Sequence, residues 1–307
     1  MDAAKTSGIT TDRDAIADRA SPSPSGPLSE ANPLSAPATG TPAMEAAGVG
    51  FTYPGALTAA VEDVDLTVGS GEFVVLIGGN GTGKSTVLRL LAGLLEPTAG
   101  RVAIAGRPVL GPDPHVGLVF QEPRLLPWRS TLDNVAFPLE LRGWTRERRE
   151  ARAREALHLV GLTGVDAARP HELSGGMRQR ASIARALALE PALLLLDEPF
   201  SALDALTRER FNIQLQAIWR ETGTSIVLVT HAIPEAVFLA DRILVMGGRP
   251  GRIVGEIADP LPHPRDLADL DAAATSPIAR RVRDLLAADE TEDADPPPVI
   301  GSGGTDR

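Results

Sequence analysis

Cysteine is absent from this 307-residue chain, and aromatic residues make up only 4% of it. Without cysteine, the chain has no disulfide framework and no thiolate metal site. That absence fits a reducing compartment. The apolar content of 43% is nevertheless ordinary for a globular protein, so the chain can bury a sizeable core.

Long hydrophobic runs are also missing. The longest, such as ALLLL at 192–196, have the length of a buried strand, whereas a membrane helix needs about 20 apolar residues. The N-terminus lacks the apolar core of a signal peptide, and the net charge of −10 argues against a nucleic-acid partner. We therefore expect a cytoplasmic protein with only peripheral membrane association.

The two ends differ in composition from the middle. Residues 1–43 are rich in serine, proline and alanine, and residues 289–307 are acidic and then rich in proline and glycine. We expect both segments to be disordered tails, as plain solvated extensions rather than regulatory segments. Between them, the pattern predicts an ordered domain over 44–260 with a helical subdomain at about 125–190, followed by a helical extension over 261–288.

Apolar strands alternate with helical patterns through the ordered part. AVEDVDLTV (60–68) alternates apolar and polar residues, whereas EFVVLIG (72–78) and ALLLLD (192–197) are continuously apolar, as in strands buried on both faces. Helical segments follow several of these strands. This order predicts an α/β fold with a mostly parallel sheet.

The segment GGNGTGKST (78–86) fits the phosphate-binding P-loop pattern, in the required context between a buried strand and an amphipathic helix. Its backbone N–H groups and the following helix N-terminus suit phosphate oxygens. Lys84 would neutralise the phosphates and Ser85 would reach Mg²⁺. The alternative is an ordinary glycine-rich turn. The predicted binding residues are Gly78, Gly79, Asn80, Gly81, Thr82, Gly83, Lys84, Ser85 and Thr86.

Polar side chains follow three apolar strands at the edge where ligands bind in open parallel sheets. Asp197 suits a Mg²⁺ partner of Ser85, and Glu198 can orient or deprotonate water. Gln121 and His231 can hydrogen-bond a γ-phosphate or its attacking water. Taken singly, each of these residues is more often a turn, a cap or a structural side chain.

A second glycine-containing helix start occurs at LSGGMRQR (173–180). Because glycine is a poor helix former, Ser174, Gly175 and Gly176 make sense where backbone N–H groups must approach an anion. The P-loop lies about ninety residues earlier, and residues alone do not explain why a second anion site is needed.

Together these motifs resemble the ATP-binding cassette ATPases over about residues 46–255. The resemblance identifies Tyr53 as the adenine-stacking aromatic, Gln121 as the Q-loop, LSGGMRQR as the signature, SALD (201–204) as the D-loop and His231 as the switch histidine. It implies an antiparallel β subdomain, catalytic roles for Glu198, His231 and Gln121, and Mg²⁺ held by Ser85, Gln121 and Asp197. Departures are Gly79 and Ala232, where other residues are commoner, and the N-terminal extension.

The resemblance also implies a head-to-tail dimer of two copies. Ser174, Gly175 and Gly176 of one copy would face the γ-phosphate held by the P-loop of the other. FQEPRLLPW (120–128), SALDALTR (201–208) and RPGRIVGEI (249–257) are similar to importers of nitrate, alkanesulfonates and taurine. Such importers use ATP, integral membrane permease subunits and an extracytoplasmic solute-binding protein.

Two alternatives remain. One is a non-transport cassette ATPase of DNA repair, chromosome structure or translation, although long coiled coils and a second cassette are not seen in the sequence. The other is a different P-loop class, such as a GTPase or a small-molecule kinase, which the LSGG segment disfavours.

Overall fold

A computed structural model describes residues 41–201, 203–258, 263–266 and 272–293. The strands are β1 (Met44–Phe51), β2 (Val61–Val68), β3 (Phe73–Gly78), β4 (Ala99–Ile104), β5 (Arg107–Pro108), β6 (Val116–Val119), β7 (Leu193–Asp197), β8 (Ser225–Thr230), β9 (Arg242–Gly247) and β10 (Arg252–Ala258). The helices are α1 (Lys84–Leu91), α2 (Thr131–Leu141), α3 (Arg146–Leu159), α4 (Gly175–Leu187), α5 (Ala205–Thr222), α6 (Ile233–Leu239) and α7 (Ala272–Asp293).

The strands form two sheets of different kinds. One has the order β10-β9-β3-β8-β7-β6, and all its pairs are parallel except β10 with β9. The other has the order β2-β1-β4-β5 and is antiparallel throughout. The predicted α/β class, with a mostly parallel sheet and an antiparallel subdomain, is thereby confirmed.

Strand β3 shows why its sequence is continuously apolar. Phe73, Val75 and Ile77 pack into one buried cluster together with α2, α4 and α6. Val74 and Leu76 point to the other face, where they pack with α1 and the antiparallel sheet. Since both faces of the strand are covered, neither set of alternating positions tolerates a polar residue.

The helical segment between 131 and 187 contains α2, α3 and α4, which pack on one another. Ser130 begins α2 by accepting a hydrogen bond on Oγ from the backbone N–H of Asp133 at 3.1 Å. This is the N-cap arrangement that satisfies a free donor of the first turn. The strand predicted over HVGLVFQ ends at Val119, so Gln121 lies two residues beyond it.

Two described parts of the chain after β10, residues 263–266 and helix α7, contact α6. Arg265 is buried and donates to the carbonyls of Val237 and Ala240 at 2.7 Å each, at the C-terminal end of α6. Helix α7 packs on α6, β9 and β10. It continues to Asp293, into the segment predicted to be a disordered tail from 289. In the other predicted tail, 1–43, residues 1–40 lie outside the described part of the chain. Residues 294–307 also lie outside it.

In the part of the chain that the structure describes, no helix combines the length and the apolar character needed to cross a bilayer.

Candidate active site

The loop between β3 and α1 depends on glycine at two positions. Gly83 has a φ of 87°, and a Cβ there would lie 2.4 Å from Cγ1 of Val61. A Cβ on Gly78 would lie 2.4 Å from the carbonyl oxygen of Met246. Both contacts are impossible for a larger residue, so the loop can pass close to β2 and β9 only with glycine. It then delivers the N-terminus of α1, with its free N–H groups, to the sheet edge.

Lys84 is the first residue of α1 and is buried. Its Nζ donates to the carbonyl oxygens of Gly78 at 3.0 Å and Gly79 at 2.6 Å. Burial lowers the pKa of Lys84, and the nearby carboxylates of Glu198 and Asp197 oppose that shift. The ammonium of Lys84 thus lies next to the backbone N–H groups of the glycine loop. Together they suit an anion with several oxygens, such as a phosphate.

Asp197 ends β7 and is buried. Ser85 donates from Oγ to Asp197 Oδ1 at 2.9 Å, which joins the start of α1 to the end of β7. Burial raises the pKa of Asp197, while the hydrogen bond from Ser85 acts in the opposite direction. Carboxylate and hydroxyl oxygens are hard donors, so this pair fits Mg²⁺.

No cluster of three or more histidine, cysteine, aspartate or glutamate side chains suited to a metal occurs within residues 41–293 as far as they are described. A Mg²⁺ ion at Ser85 and Asp197 would therefore need further oxygens. Mg²⁺ bound with substrate phosphates commonly uses one or two carboxylates only, and the rest of its ligands come from phosphate and water.

Glu198 and His231 come together from neighbouring strands. His231 Nδ1 lies 3.0 Å from Glu198 Oε2. The backbone N–H of Glu198 donates to the carbonyl of Val229 at 2.9 Å, and its φ of 42° turns the chain away from β7. Glu198 is thus held in a backbone conformation that few residues adopt, a feature that clusters at functional sites.

A pocket of about 570 Å³ collects most of the predicted residues. It is lined by Tyr53, Ala60, Asn80, Gly81, Gly83, Lys84, Ser85, Thr86, Gln121, Glu198, Ser201 and His231. Tyr53 shares a hydrogen bond of 3.1 Å with Thr86 Oγ1 and packs edge-on against Phe51 with ring centroids 4.8 Å apart. Gly78, Gly79, Thr82 and Asp197 are not part of this lining.

The second glycine pair lies elsewhere in the chain. Ser174 is exposed and caps α4, because its Oγ accepts from the backbone N–H of Met177 at 3.2 Å. Gly175 and Gly176 form the first turn of α4. None of these three residues lines the pocket of the P-loop. The fold of one chain therefore presents two separate helix starts suited to anions.

Sequence reasoning missed three residues around the pocket. Ala60 lines it and carries no chemical signal. Glu235 and Arg208 form an ion pair of 3.5 Å beside Thr230, directly before His231. The segment IPEAVF around Glu235 reads as an ordinary helix start, so only the packing of α6 on α5 reveals that this carboxylate is buried.

Comparison with known proteins gives consistent matches. The family profile described as ABC transporter matches residues 61–201. A taurine import ATP-binding protein of Burkholderia thailandensis is 51% identical over 222 residues, which cover 72% of this chain and 83% of that protein. A protein of the same name from Pseudomonas fluorescens is 50% identical over 202 residues, which cover 66% of this chain and 76% of that protein.

Among solved structures, a dimeric ATP-binding cassette in a post-hydrolysis state, bound to ADP and Pi, is similar with a TM-score of 0.64. It is 34% identical, and the match covers 70% of this chain and 98% of that one.

Proposed function

The chain belongs to the ABC transporter family, and we propose that it is the ATP-hydrolysing subunit of an importer for taurine or a related sulfonate. The observation that carries this proposal is the identity of 51% to a taurine import ATP-binding protein, over 83% of that protein's length. The pocket beside the P-loop supports the ATPase part independently, because its lining combines a lysine and a glycine loop with Ser85, whose hydroxyl is hydrogen-bonded to the buried Asp197.

We assign the residues of the pocket to the following roles. The loop 78–86 and Lys84 bind the phosphates of ATP, and Tyr53 stacks on the adenine. Ser85, Gln121 and Asp197 hold Mg²⁺, which supplies charge neutralisation at the phosphates when bound. Gln121 lines the same pocket as Ser85, which supports its place in this set.

Glu198 positions and polarises the water that attacks the γ-phosphate. Its contact with His231 supports this role, since a histidine 3.0 Å away can orient the carboxylate and hydrogen-bond the γ-phosphate. In phosphoryl transfer the protein contributes mainly by positioning groups and stabilising charge. Positioning is therefore the main contribution of Glu198 and His231.

The functional unit is a head-to-tail dimer in which Ser174, Gly175 and Gly176 of one copy complete the nucleotide site of the other. The separation of the two helix starts within one chain supports this arrangement. So does the similar cassette that was solved as a dimer with ADP and Pi. ATP then holds two copies together, and hydrolysis releases them.

The dimer works at the cytoplasmic face of the membrane with integral permease subunits, which receive solute from an extracytoplasmic binding protein. The exposed Trp128, in the segment after Gln121, supports a docking surface for the permease, because 69% of this large side chain remains accessible.

Growth and uptake test the substrate. A deletion strain should fail to grow on taurine as sole sulfur source and should lose uptake of labelled taurine, while growth on sulfate stays normal. The wild-type gene should restore both, and a Glu198→Gln gene should not. Parallel cultures on alkanesulfonates and on nitrate as sole nitrogen source define the range of solutes. Undiminished uptake of all three solutes would refute the substrate assignment, whereas ATP hydrolysis by purified protein tests the ATPase assignment separately.

A further inference from the structure

Glu235 is a buried carboxyl group that the proposed roles do not use. It lies in the first turn of α6, four residues after His231, and only 4% of it is exposed. Burial raises its pKa, whereas the hydrogen bond from Thr230 and the charge of Arg208 oppose the shift. A buried carboxylate is costly unless it has partners, so these contacts define what holds it in place.

The first partner fixes the backbone on both sides of His231. Thr230, the last residue of β8, donates its hydroxyl proton to Glu235 Oε2. The same hydroxyl oxygen accepts from the backbone N–H of Ala232 at 3.0 Å. Glu235 therefore anchors the residue before His231 directly and the residue after it through Thr230. The ring of His231 then lies 3.0 Å from Glu198.

The second partner reaches the segment 201–204. Arg208 Nε lies 3.5 Å from Glu235 Oε1, and Arg208 Nη2 donates to the carbonyl of Leu203 at 3.0 Å. The segment also contacts the candidate catalytic residue, because the backbone N–H of Ser201 donates to the carbonyl of Glu198 at 3.2 Å. Glu198 is thus connected to the start of α5 and to His231.

We propose that Glu235 is a positioning residue for His231 and that, through Arg208, it links the geometry of His231 to the segment 201–204. Glu235 does not line the nucleotide pocket, so its effect on hydrolysis passes through the loop 230–232. The inference rests on the proposed function, since it assigns a supporting residue to the same hydrolysis site. A shift of Leu203 would be passed through Arg208 to Glu235, and from Glu235 through Thr230 to the backbone around His231.

Steady-state ATP hydrolysis by the full chain gives the first test. Glu235→Ala and the isosteric Glu235→Gln should lower kcat by about tenfold or more, because small misplacements of a reacting group are costly. The KM for ATP should stay within about twofold, since the P-loop is untouched. Glu209→Gln removes the same charge from an exposed position on α5 and should leave both constants unchanged. Unchanged kcat in both Glu235 variants would overturn the proposal.

A double-mutant cycle separates positioning from general destabilisation. If Glu235 acts through His231, then Glu235→Ala should cause no further loss of single-turnover rate in a His231→Ala background. Equal fractional losses in both backgrounds would mean that Glu235 acts elsewhere, and would reject the proposal. Thermal melts show whether each variant is folded. If Glu235→Ala does not fold, Glu235→Gln takes its place in the cycle.

Arg208 provides the test of the link. Arg208→Gln leaves the carboxylate of Glu235 without its cation and should lower kcat. Combining it with Glu235→Gln removes both charges and should recover part of the rate that Arg208→Gln loses. A double variant slower than either single variant would contradict the link. If His231→Ala and Glu198→Gln themselves hydrolyse ATP normally, the proposed site fails first, whatever the Glu235 variants do.

Discussion

Asp197 combines a functional position with an unfavourable environment. Its pKa is raised because burial disfavours the ionised form, and the carboxylate of Glu198 adds to the shift. Above its raised pKa, the ionised side chain therefore costs the folded protein stability that an uncharged side chain would not. Groups tuned for ligands often carry such a cost.

We expect Asp197→Asn to raise the melting temperature of the nucleotide-free protein at pH 7 by about 2 °C or more. The difference should shrink towards about pH 4, where protonation removes the charge from the wild-type side chain as well. Stabilisation by ATP with Mg²⁺ should be lost. Differential scanning calorimetry across pH measures both effects, and Glu96→Gln, at an exposed position, provides the control. A lower melting temperature for Asp197→Asn at pH 7 would contradict the electrostatic account.

Lys84 and Glu198 should separate binding from hydrolysis. Glu198→Gln keeps the shape of the side chain but not its basicity, so turnover should fall by about 100-fold or more while ATP still binds. Lys84→Ala removes the ammonium that crosses the loop and should weaken ATP binding itself. Equilibrium binding of a fluorescent ATP analogue and phosphate release measure the two effects. Wild-type turnover by Glu198→Gln would show that another group activates the water.

Local determinants explain which site residues the sequence predicts. The P-loop is recognisable because its glycines, its lysine and its flanking strand and helix are contiguous. Asp197 and Glu198 are recognisable because they end an apolar run. Glu235 is not recognisable from the sequence, because its burial and its contact with Arg208 depend on how α5 and α6 pack. Ser174 is recognisable as a helix cap, but its use by a second copy follows from resemblance alone.

At the scale of elements, one side chain of α2 makes several hydrogen bonds to the segment between Gln121 and α2. Asn134 accepts from the backbone N–H of Leu126 at 2.7 Å, and its Nδ2 donates to the carbonyls of Leu126, Arg129 and Ser130. Leu125 packs against the core, whereas Trp128 projects outwards. The segment is therefore ordered yet exposes a large apolar surface.

If this surface receives the permease, Trp128→Ala should reduce transport and co-purification with the permease, while fold and ATP binding remain intact. Leu110→Ala provides the control, because Leu110 is 97% exposed but lies next to the antiparallel sheet. Size-exclusion chromatography of the co-expressed complex and solute uptake measure the outcome. Normal assembly and uptake with Trp128→Ala would place the docking surface elsewhere.

Secondary structure was predictable where periodicity is strong, as in β3, β7 and α4. The ends of elements are less predictable. Strand β6 is shorter than its apolar pattern, and α7 extends into the acidic segment. Charged residues such as those near Asp293 do not by themselves end a helix, because solvent satisfies them. The position of α7 on α6 and β10 depends on contacts far apart in sequence.

At the scale of the whole molecule, the composite site makes a prediction about mixtures. Ser174→Arg should place a charge at the interface and block hydrolysis, while nucleotide binding by the single chain persists. Lys84→Ala should fail for a different reason. Mixed in equal amounts, the two inactive chains should regain part of the ATPase activity, because one interface of each heterodimer keeps both intact halves.

The recovered activity should depend on total protein concentration, as expected for dimer formation. Each variant alone, at twice the concentration, is the control. Absence of activity in every mixture would favour a site complete within one chain.

The three tryptophans of the chain occupy three different environments. Trp219 is buried and donates from Nε1 to the carbonyl of Gly71 at 2.8 Å, Trp144 is partly buried, and Trp128 is exposed. A water-soluble quencher of fluorescence will therefore reach Trp128 far more readily than Trp219. If vesicles that carry the permease reduce the quenching of Trp128 fluorescence, this reduction would show docking in unlabelled protein.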